Sequence, residues 1–515
     1  MGEHRKTAEE AAKLTKARIQ ESQKKYGRDQ GQKTVSFSSI ERLRMLAENE
    51  RGDGRLVTKA LKGKFCLDKQ RSQMFYFNEH WHEDLLEQFF QAANQAAVGQ
   101  YHEEIGVQRR ISNDPNRSQE DTKAAIEKEG KLRKRIDSLN SATRMRNVIN
   151  WACKGQDSLA ITGDEWNQDP YALQTKNALI NLRTGEARPG RPEDYINKAC
   201  PIEWKGPDQE APTWVEAFNE IFTTKETAHY FHKVLGASLI GKPLQEFFIL
   251  WGEGANGKST LLETAKKIMG PLSGAVSAEM IVGYRPKVGG ADPELLDLQG
   301  KRLVWTSETK DGAKLNVETI KQFTGNDTLK GRYNYSNAIV EFRPQFSIFL
   351  LTNNKPVIHS VDYGTWRRVR LIPFAYRFVD EPSAEDEKAK ISDLEDRIEE
   401  ELPGILAWLV QGCLLYQQEG LKPPNEILVA TQEYQTQEDM LQQFVEERCV
   451  PGGLVRAGAF REAYQKWVKD EHGQSTKVPG SAKLKAAMIA KGYKHSSEGR
   501  HSTFSGLSLR EGGSL

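Results

Sequence analysis

The chain has 515 residues, 38% of them hydrophobic, and a formal net charge of +2, which allows three or four domains with real apolar cores and gives no global sign of a nucleic-acid partner. Five cysteines, Cys66, Cys153, Cys200, Cys413 and Cys449, stand far apart, with no C-x-x-C pair and no Cys/His cluster at zinc spacing, so a disulfide scaffold and a structural zinc site are excluded and reduced, buried thiols are expected. No apolar run reaches membrane-spanning length and the charged N-terminus lacks a signal-peptide core, so a cytoplasmic protein without a membrane partner is expected.

Residues 1–35 form a charged arm rich in Lys, Glu, Gln and Ala, which predicts a solvated helix or a disordered tail. Residues 36–210 read as an N-terminal α/β accessory domain. The pattern predicts helices over 39–46 and 81–98 with a strand at 74–77 between them. A charged stretch, 108–135, reads as a loop followed by an exposed helix. Trp151, Trp166, Tyr171, Leu179, Ile180, Leu182 and Tyr195 supply apolar anchors for a denser unit over 145–205. Asp164, Glu165 and Asp169 lie among turn residues beside Pro170 and read as turn carboxylates rather than a metal group. Residues 211–240 predict a helical collar or linker.

At 247–251 a short apolar run predicts a buried parallel strand, and Gly252, Glu253, Gly254, Ala255, Asn256, Gly257, Lys258, Ser259 and Thr260 follow in the G-x-x-x-x-G-K-S pattern before a helix. A strand, a glycine turn and a helix start in that order make a phosphate-binding loop. The glycines let backbone N–H groups face phosphate oxygens, Lys258 adds a charge near the β- and γ-phosphates, and the Ser259 hydroxyl is placed to ligate Mg²⁺.

Two later strands carry a polar residue at their ends. Residues 301–308 end in Glu308, an acid suited to hold Mg²⁺ and polarise an attacking water; residues 346–352 lead to Asn353, whose amide can sense the γ-phosphate. A turn asparagine is the plain alternative for Asn353. Residues 366–374 alternate Arg with apolar residues, and one of Arg367, Arg368 and Arg370 is expected to reach a phosphate on a neighbouring subunit.

These stretches, with Gly163-Asp164-Glu165-Trp166, Asn181-Leu182-Arg183-Thr184-Gly185, Phe342-Arg343-Pro344 and Thr352-Asn353-Asn354-Lys355-Pro356, resemble the C-terminal part of phage and plasmid primase-helicases, whose ATPase belongs to superfamily 3. The resemblance covers residues from about 150 onward. It implies an AAA+ core over 241–432, assembled as a homo-hexameric ring that hydrolyses ATP with Mg²⁺ between subunits and moves along one DNA strand in a bacterial host cell. By the same resemblance Lys258 and Ser259 form the nucleotide site, Glu308 is the Walker B acid, Asn353 the sensor and Arg368 the arginine finger. A pore hairpin is implied between Glu308 and Asn353. There Gly331 reads as a turn flanked by Lys330 and Arg332, with Tyr333 placed to stack on a base; an ordinary hairpin with solvated charges is the alternative.

The 150 residues ahead of the matching region carry no D-x-D or zinc pattern, so primer synthesis is expected from a separate primase. Residues 433–515 resemble the family's winged-helix tail, with helices over 459–469 and 481–489 and a wing from 492 to 509. Lys483, Lys485 and Lys491 would meet duplex phosphates if that second helix enters a groove, and protein docking is the competing use. The expected function is a replicative DNA helicase or translocase of a phage, satellite or plasmid. The alternatives are an origin-binding initiator that melts DNA locally and a DNA-dependent ATPase of defence or packaging.

Overall fold

The computed structural model describes residues 36–282, 291–307, 313–332, 334, 339–358, 363–472, 478–498 and 501–510. Helix Ser39–Ala47 starts on a capping box, in which Ser38 Oγ accepts from Glu41 N and the Glu41 carboxylate accepts from Ser38 N. Helices Asn49–Leu61, Gln88–Ser112, Gln119–Leu139 and Ala142–Ala152 follow. Each turns one apolar face inward, bringing Leu56, Val57, Tyr101, Leu132 and Val148 into a common core. A carboxylate in that core, Asp53, is neutralised by Arg135 and Arg144 at 2.8 Å each and accepts from Tyr101 Oη at 2.6 Å, as a buried charge requires.

Against this bundle lie β1 (Phe65–Asp68), β2 (Gln73–Asn78), β3 (His80–Glu83) and β4 (Ala160–Ile161), in the order β3-β2-β1-β4. The helix expected over 81–98 is displaced. Glu79, at φ 61°, makes a tight turn that sends His80–Glu83 back along β2. Trp81 is then buried against Trp166, with its indole N–H donating to Pro192 O at 2.9 Å. The helix starts only at Gln88, where the Asp84 carboxylate accepts from the backbone N–H of Gln88 and Phe89. The charged stretch after 108 continues this helix to Ser112 before the Gln119–Leu139 helix begins. Glu165 accepts from Thr162 N, Thr162 Oγ1 and Gly163 N, a turn role. Among the described residues no cluster of three metal-ligating side chains occurs.

A small antiparallel sheet, β5 (Ala172–Gln174), β6 (Leu179–Asn181) and β7 (Glu186–Arg188), leads to helices Pro212–Ile221 and Lys225–Ala237. The main sheet comprises β8 (Phe247–Trp251), β9 (Ser273–Ala275), β10 (Leu303–Ser307), a strand at Ser347–Thr352 and another at Val369–Pro373. Between them in sequence lie β11 (Leu329–Gly331) and β12 (Val340–Phe342), so those two strands are β13 and β14. The order is β14-β8-β13-β10-β9, with every neighbour parallel. Buried on both faces, β8 is almost wholly apolar, the reading expected of a central parallel strand.

One apolar core includes Leu173, Ile180 and Trp204 together with Phe218, Phe231, Phe248, Leu261, Phe349 and Leu406. Packing therefore runs without a break across residues 210 and 240. Helix Leu394–Glu419 lies against Lys225–Ala237, and the two approach closely at glycines: a Cβ on Gly236 would stand 2.2 Å from Cys413 N, and one on Gly412 would stand 2.6 Å from His232 O.

Strands β15 (Arg377–Val379) and β16 (Glu387–Ala389) pair in parallel beside the main sheet. The C-terminal unit holds helices Met440–Arg448, Ala457–His472 and Ser481–Ala490, with β17 (Cys449–Arg456), β18 (Lys494–Glu498) and β19 (His501–Leu509) in the order β17-β19-β18. Phe444, Phe460, Tyr464, Leu484 and Phe504 fill its core. All five cysteines are buried thiols. Among the described residues no helix is long and apolar enough to cross a membrane.

Candidate functional site

The site begins where β8 ends. Gly252 is buried, and a Cβ there would stand 2.3 Å from Phe374 O. Ala255 and Gly257 both take positive φ, 59° and 84°, and a Cβ on Gly257 would meet Ile221 at 2.9 Å. The chain thereby doubles back and enters helix Lys258–Met269 with its first N–H groups open toward the loop. Gly254 borders open space, so its small size serves access to the loop backbone rather than local packing. Glu253, Ala255 and Ser259 are exposed, Thr260 is half-buried, and Asn256 is buried with its Oδ1 accepting from Lys258 N at 3.4 Å.

Lys258 is 6% exposed and folds over the loop. Its Nζ donates to Gly252 O at 2.5 Å, Glu253 O at 3.1 Å and Asn353 Oδ1 at 3.3 Å. Burial pulls its ammonium down to about 8, because a cation held only by neutral carbonyls is poorly solvated. Asn353 follows β13, the strand beside β8, and its carbonyl accepts from Trp251 Nε1 at 3.0 Å. Parallel pairing thus brings loop lysine and amide together at one edge of the sheet. The third expected partner, Glu308, lies outside the described residues; β10 is described to Ser307, which pairs with Leu351 two positions before Asn353.

Behind the loop opens a cavity of about 560 Å³ lined by Phe218, Ile221, Gly257, Thr260, Phe378 and Leu394, among others. Phe378 N donates to Ala255 O at 2.7 Å, tying the loop to β15. Sequence reasoning missed Ile221 and Phe378, because neither belongs to a motif and both arrive through tertiary packing.

The family model described as "D5 N terminal like" matches residues 54–223, and one described as a family of unknown function (DUF5906) matches residues 250–368. The chain is 30% identical over 338 residues to a protein of Acanthamoeba polyphaga mimivirus provisionally named a helicase, a match covering 62% of this chain and 35% of that one. A frog virus 3 protein, likewise provisionally named a helicase, is 28% identical over 305 residues, 56% of this chain and 31% of its own. The fowlpox virus protein named primase D5 is 30% identical over 158 residues, 30% of this chain and 20% of its own. The chain belongs to the phage and viral primase-helicase family. It spans about a third of the length of the two helicase-named relatives. A solved structure, the apo NrS-1 C-terminal region, aligns with a TM-score of 0.38 at 13% identity, over 72% of this chain and 90% of that one.

In this chain the three candidate arginines have different surroundings. Arg370 is held in a half-buried pair with Glu246 at 2.6 Å, and Tyr230 Oη also donates to Glu246. Burial raises the Glu246 carboxyl against the pull of Arg370. A guanidinium so committed holds β14 to Glu246 of its own chain. Arg368 is half-buried and donates to Gly364 O, while Arg367 is exposed. Both precede β14, at the sheet edge opposite the loop, a strand length of about 13 Å away.

The expected hairpin is an antiparallel pair of β11 and β12, with one correction. Gly331 is not its turn; it pairs with Val340 inside the ladder, and a Cβ there would press on Leu296 at 3.1 Å. Lys330 is exposed and paired with Glu341 at 2.7 Å, Arg332 is half-buried, and Tyr333 lies outside the described residues. In the C-terminal unit Lys483 and Lys485 are exposed on helix Ser481–Ala490. Lys491 is instead occupied by Asp439 and Gln442.

Proposed function

We propose that this chain binds ATP at residues 252–260, hydrolyses it between neighbouring copies in a ring, and uses the cycle to move along and unwind DNA during replication of a virus, phage, satellite or plasmid. The observation that carries the reading is the convergence of the Lys258 ammonium and the Asn353 amide at the open edge of a parallel sheet, beside a helix N-terminus. A triphosphate there would take the helix N–H groups and draw Lys258 off the loop carbonyls, restoring its charge. The names of the viral relatives support a helicase acting in replication. The adjacency of β8, β13 and β10 supports an AAA+ core, since the phosphate loop follows β8 and Asn353 follows the strand beside it.

The apolar wall that Ile221 and Phe378 give the cavity suits the base, with Phe378 available for stacking. The hydroxyl of Ser259, exposed on the first turn of the helix, and the carboxylate of Glu308 are hard oxygen donors of the kind that would hold Mg²⁺, which neutralises phosphate charge when bound. Arg367 and Arg368, far from their own loop, suit action on a neighbour's nucleotide. The hairpin residues Lys330, Arg332 and Tyr333 would face the DNA strand within the ring.

The test is strand displacement on forked DNA with ATP and Mg²⁺, using Lys258→Ala as control. Unwinding by the natural chain alone supports the reading. DNA-stimulated hydrolysis without displacement would move it to a local-melting initiator, for which the exposed Lys483 and Lys485 of a winged-helix tail would supply duplex contacts. Absence of nucleotide hydrolysis would remove the motor altogether.

A further inference from the structure

Far from the phosphate loop, helix Asn49–Leu61 exposes a row of cations. Arg51, Arg55 and Lys59 recur every four residues and Lys62 follows at the helix end, so all four share one face over roughly 16 Å. Across from them Trp151 stands at the end of helix Ala142–Ala152, 46% exposed. Gly54 permits this juxtaposition, since a Cβ there would lie 2.5 Å from Trp151 Cβ. Lys154 Nζ sits 6.0 Å from the centre of the indole ring. Together these residues line a groove of about 500 Å³ whose acidic member is Asp157.

Two of the cations have partners: Arg55 pairs with Glu48 at 2.6 Å, and Lys59 with Glu41 at 2.7 Å while lying over the Phe37 ring. Arg51, Lys62 and Lys154 form no ion pair among the described residues. A solvated helix face accounts for the cations but not for a large indole left half in water at their side.

We propose that this groove binds single-stranded nucleic acid, with Arg51, Lys62 and Lys154 on successive phosphates and the Trp151 indole under an unpaired base. Phosphates select the cations, and a flat, sequence-tolerant aromatic selects a base free of a partner strand. The site is independent of the proposed motor and gives residues 49–158 a role as a strand-holding platform.

The experiment uses the full chain carrying Lys330→Ala and Arg332→Ala, so that the hairpin does not contribute. Fluorescein-labelled oligothymidylate and oligouridylate of roughly 16 nucleotides are titrated by anisotropy at several salt concentrations. Arg51→Ala with Lys62→Ala should flatten the log–log salt slope by about 1.4, or about 0.7 per phosphate lost. Trp151→Ala should weaken binding about ten-fold with the slope unchanged, and Trp151→Phe should recover most of that loss. The two oligonucleotides separate DNA from RNA, either being a single strand. Photocrosslinking of 5-iodouracil-containing oligonucleotides to the chain with natural residues at the groove should label Trp151, a readout that needs no folded groove variant. Unchanged slope and no label at Trp151 would overturn the proposal. Equal losses on a blunt duplex would reassign the face to double-stranded DNA. Competition by polyglutamate with no effect of Trp151→Ala on oligonucleotide binding would reassign it to an acidic protein partner.

Discussion

Lys258 shows how one side chain's surroundings predict its chemistry. Its ammonium is held near 8 only by burial against neutral oxygens, and a bound triphosphate would raise that value. Nucleotide affinity should therefore be flat below about pH 7 and weaken as pH rises through 8, the range in which the free protein loses the proton that the complex keeps. Equilibrium titration of a fluorescent ATP analogue between these limits checks it. Lys258→Ala should lower hydrolysis by about a hundred-fold or more and abolish that pH dependence. Arg370→Ala should lower stability by about 3–5 kcal/mol, because Glu246 is left buried without its partner. Thermal melting would read that loss, and Arg367→Ala, made at an exposed position, should leave the melting temperature unchanged. Sequence placed these arginines in one alternating run; what separates them is Glu246, more than a hundred residues upstream, which no local pattern indicates.

At the scale of elements, β8, β10 and β13 were legible because apolar runs with polar ends are what a buried parallel strand leaves in a sequence. The β3 segment was not. Its Trp81 and His82 fit either a strand or the helix that starts a few residues later, and the deciding feature is Glu79 in the left-handed region. Gly331 was misread for a related reason: glycine marks close approach as well as turns, and here it makes room for Leu296. In the same ladder Glu341 would compete for Lys330 with the proposed DNA strand. Glu341→Gln should tighten single-strand binding about two- to five-fold at low salt, the size of effect expected for an exposed pair, with the gain disappearing at high salt.

The crossing of Lys225–Ala237 with Leu394–Glu419 is as sharply specified. Gly236→Ala should destabilise by about 1–3 kcal/mol through overpacking, read as a lower denaturation midpoint. In that crossing the ring of His232 stacks on Trp408 at 3.7 Å, and burial holds its imidazole down to about 4. An unfolded chain takes up the proton near 6.5 and the folded one does not, so this contact loses stabilising power as pH falls from about 6.5 to 4. Melting temperature against pH would show the decline, and His232→Gln should flatten it.

For the molecule as a whole, the proposed ring would set arginines that lie a strand length from their own phosphate loop against a neighbour's nucleotide. Mixing Arg368→Ala with Lys258→Ala chains should restore part of the hydrolysis that each lacks alone, measured as turnover against mixing ratio; no restoration would place Arg368 outside the shared site. Sequence set the accessory region apart from the phosphate-loop unit because a helical stretch lies between their motifs. It could not reveal that Leu173, Ile180 and Trp204 pack into the same interior as the phosphate-loop helix. Long-range burial of this kind leaves no periodicity at the boundary.

Arg302 is the plainest case. It is fully buried ahead of β10, its guanidinium brought down to about 10 by the loss of water, and it donates to Leu239 O at the end of one helix and Ala172 O in β5. A single cation thereby staples three segments of different origin. For anyone cutting this chain into pieces, the safe place for the knife is not residue 241. An isolated fragment starting there would leave a guanidinium in an oily socket with its acceptors deleted, and would aggregate; one retaining Ala172 and Leu239 would carry its own stopper.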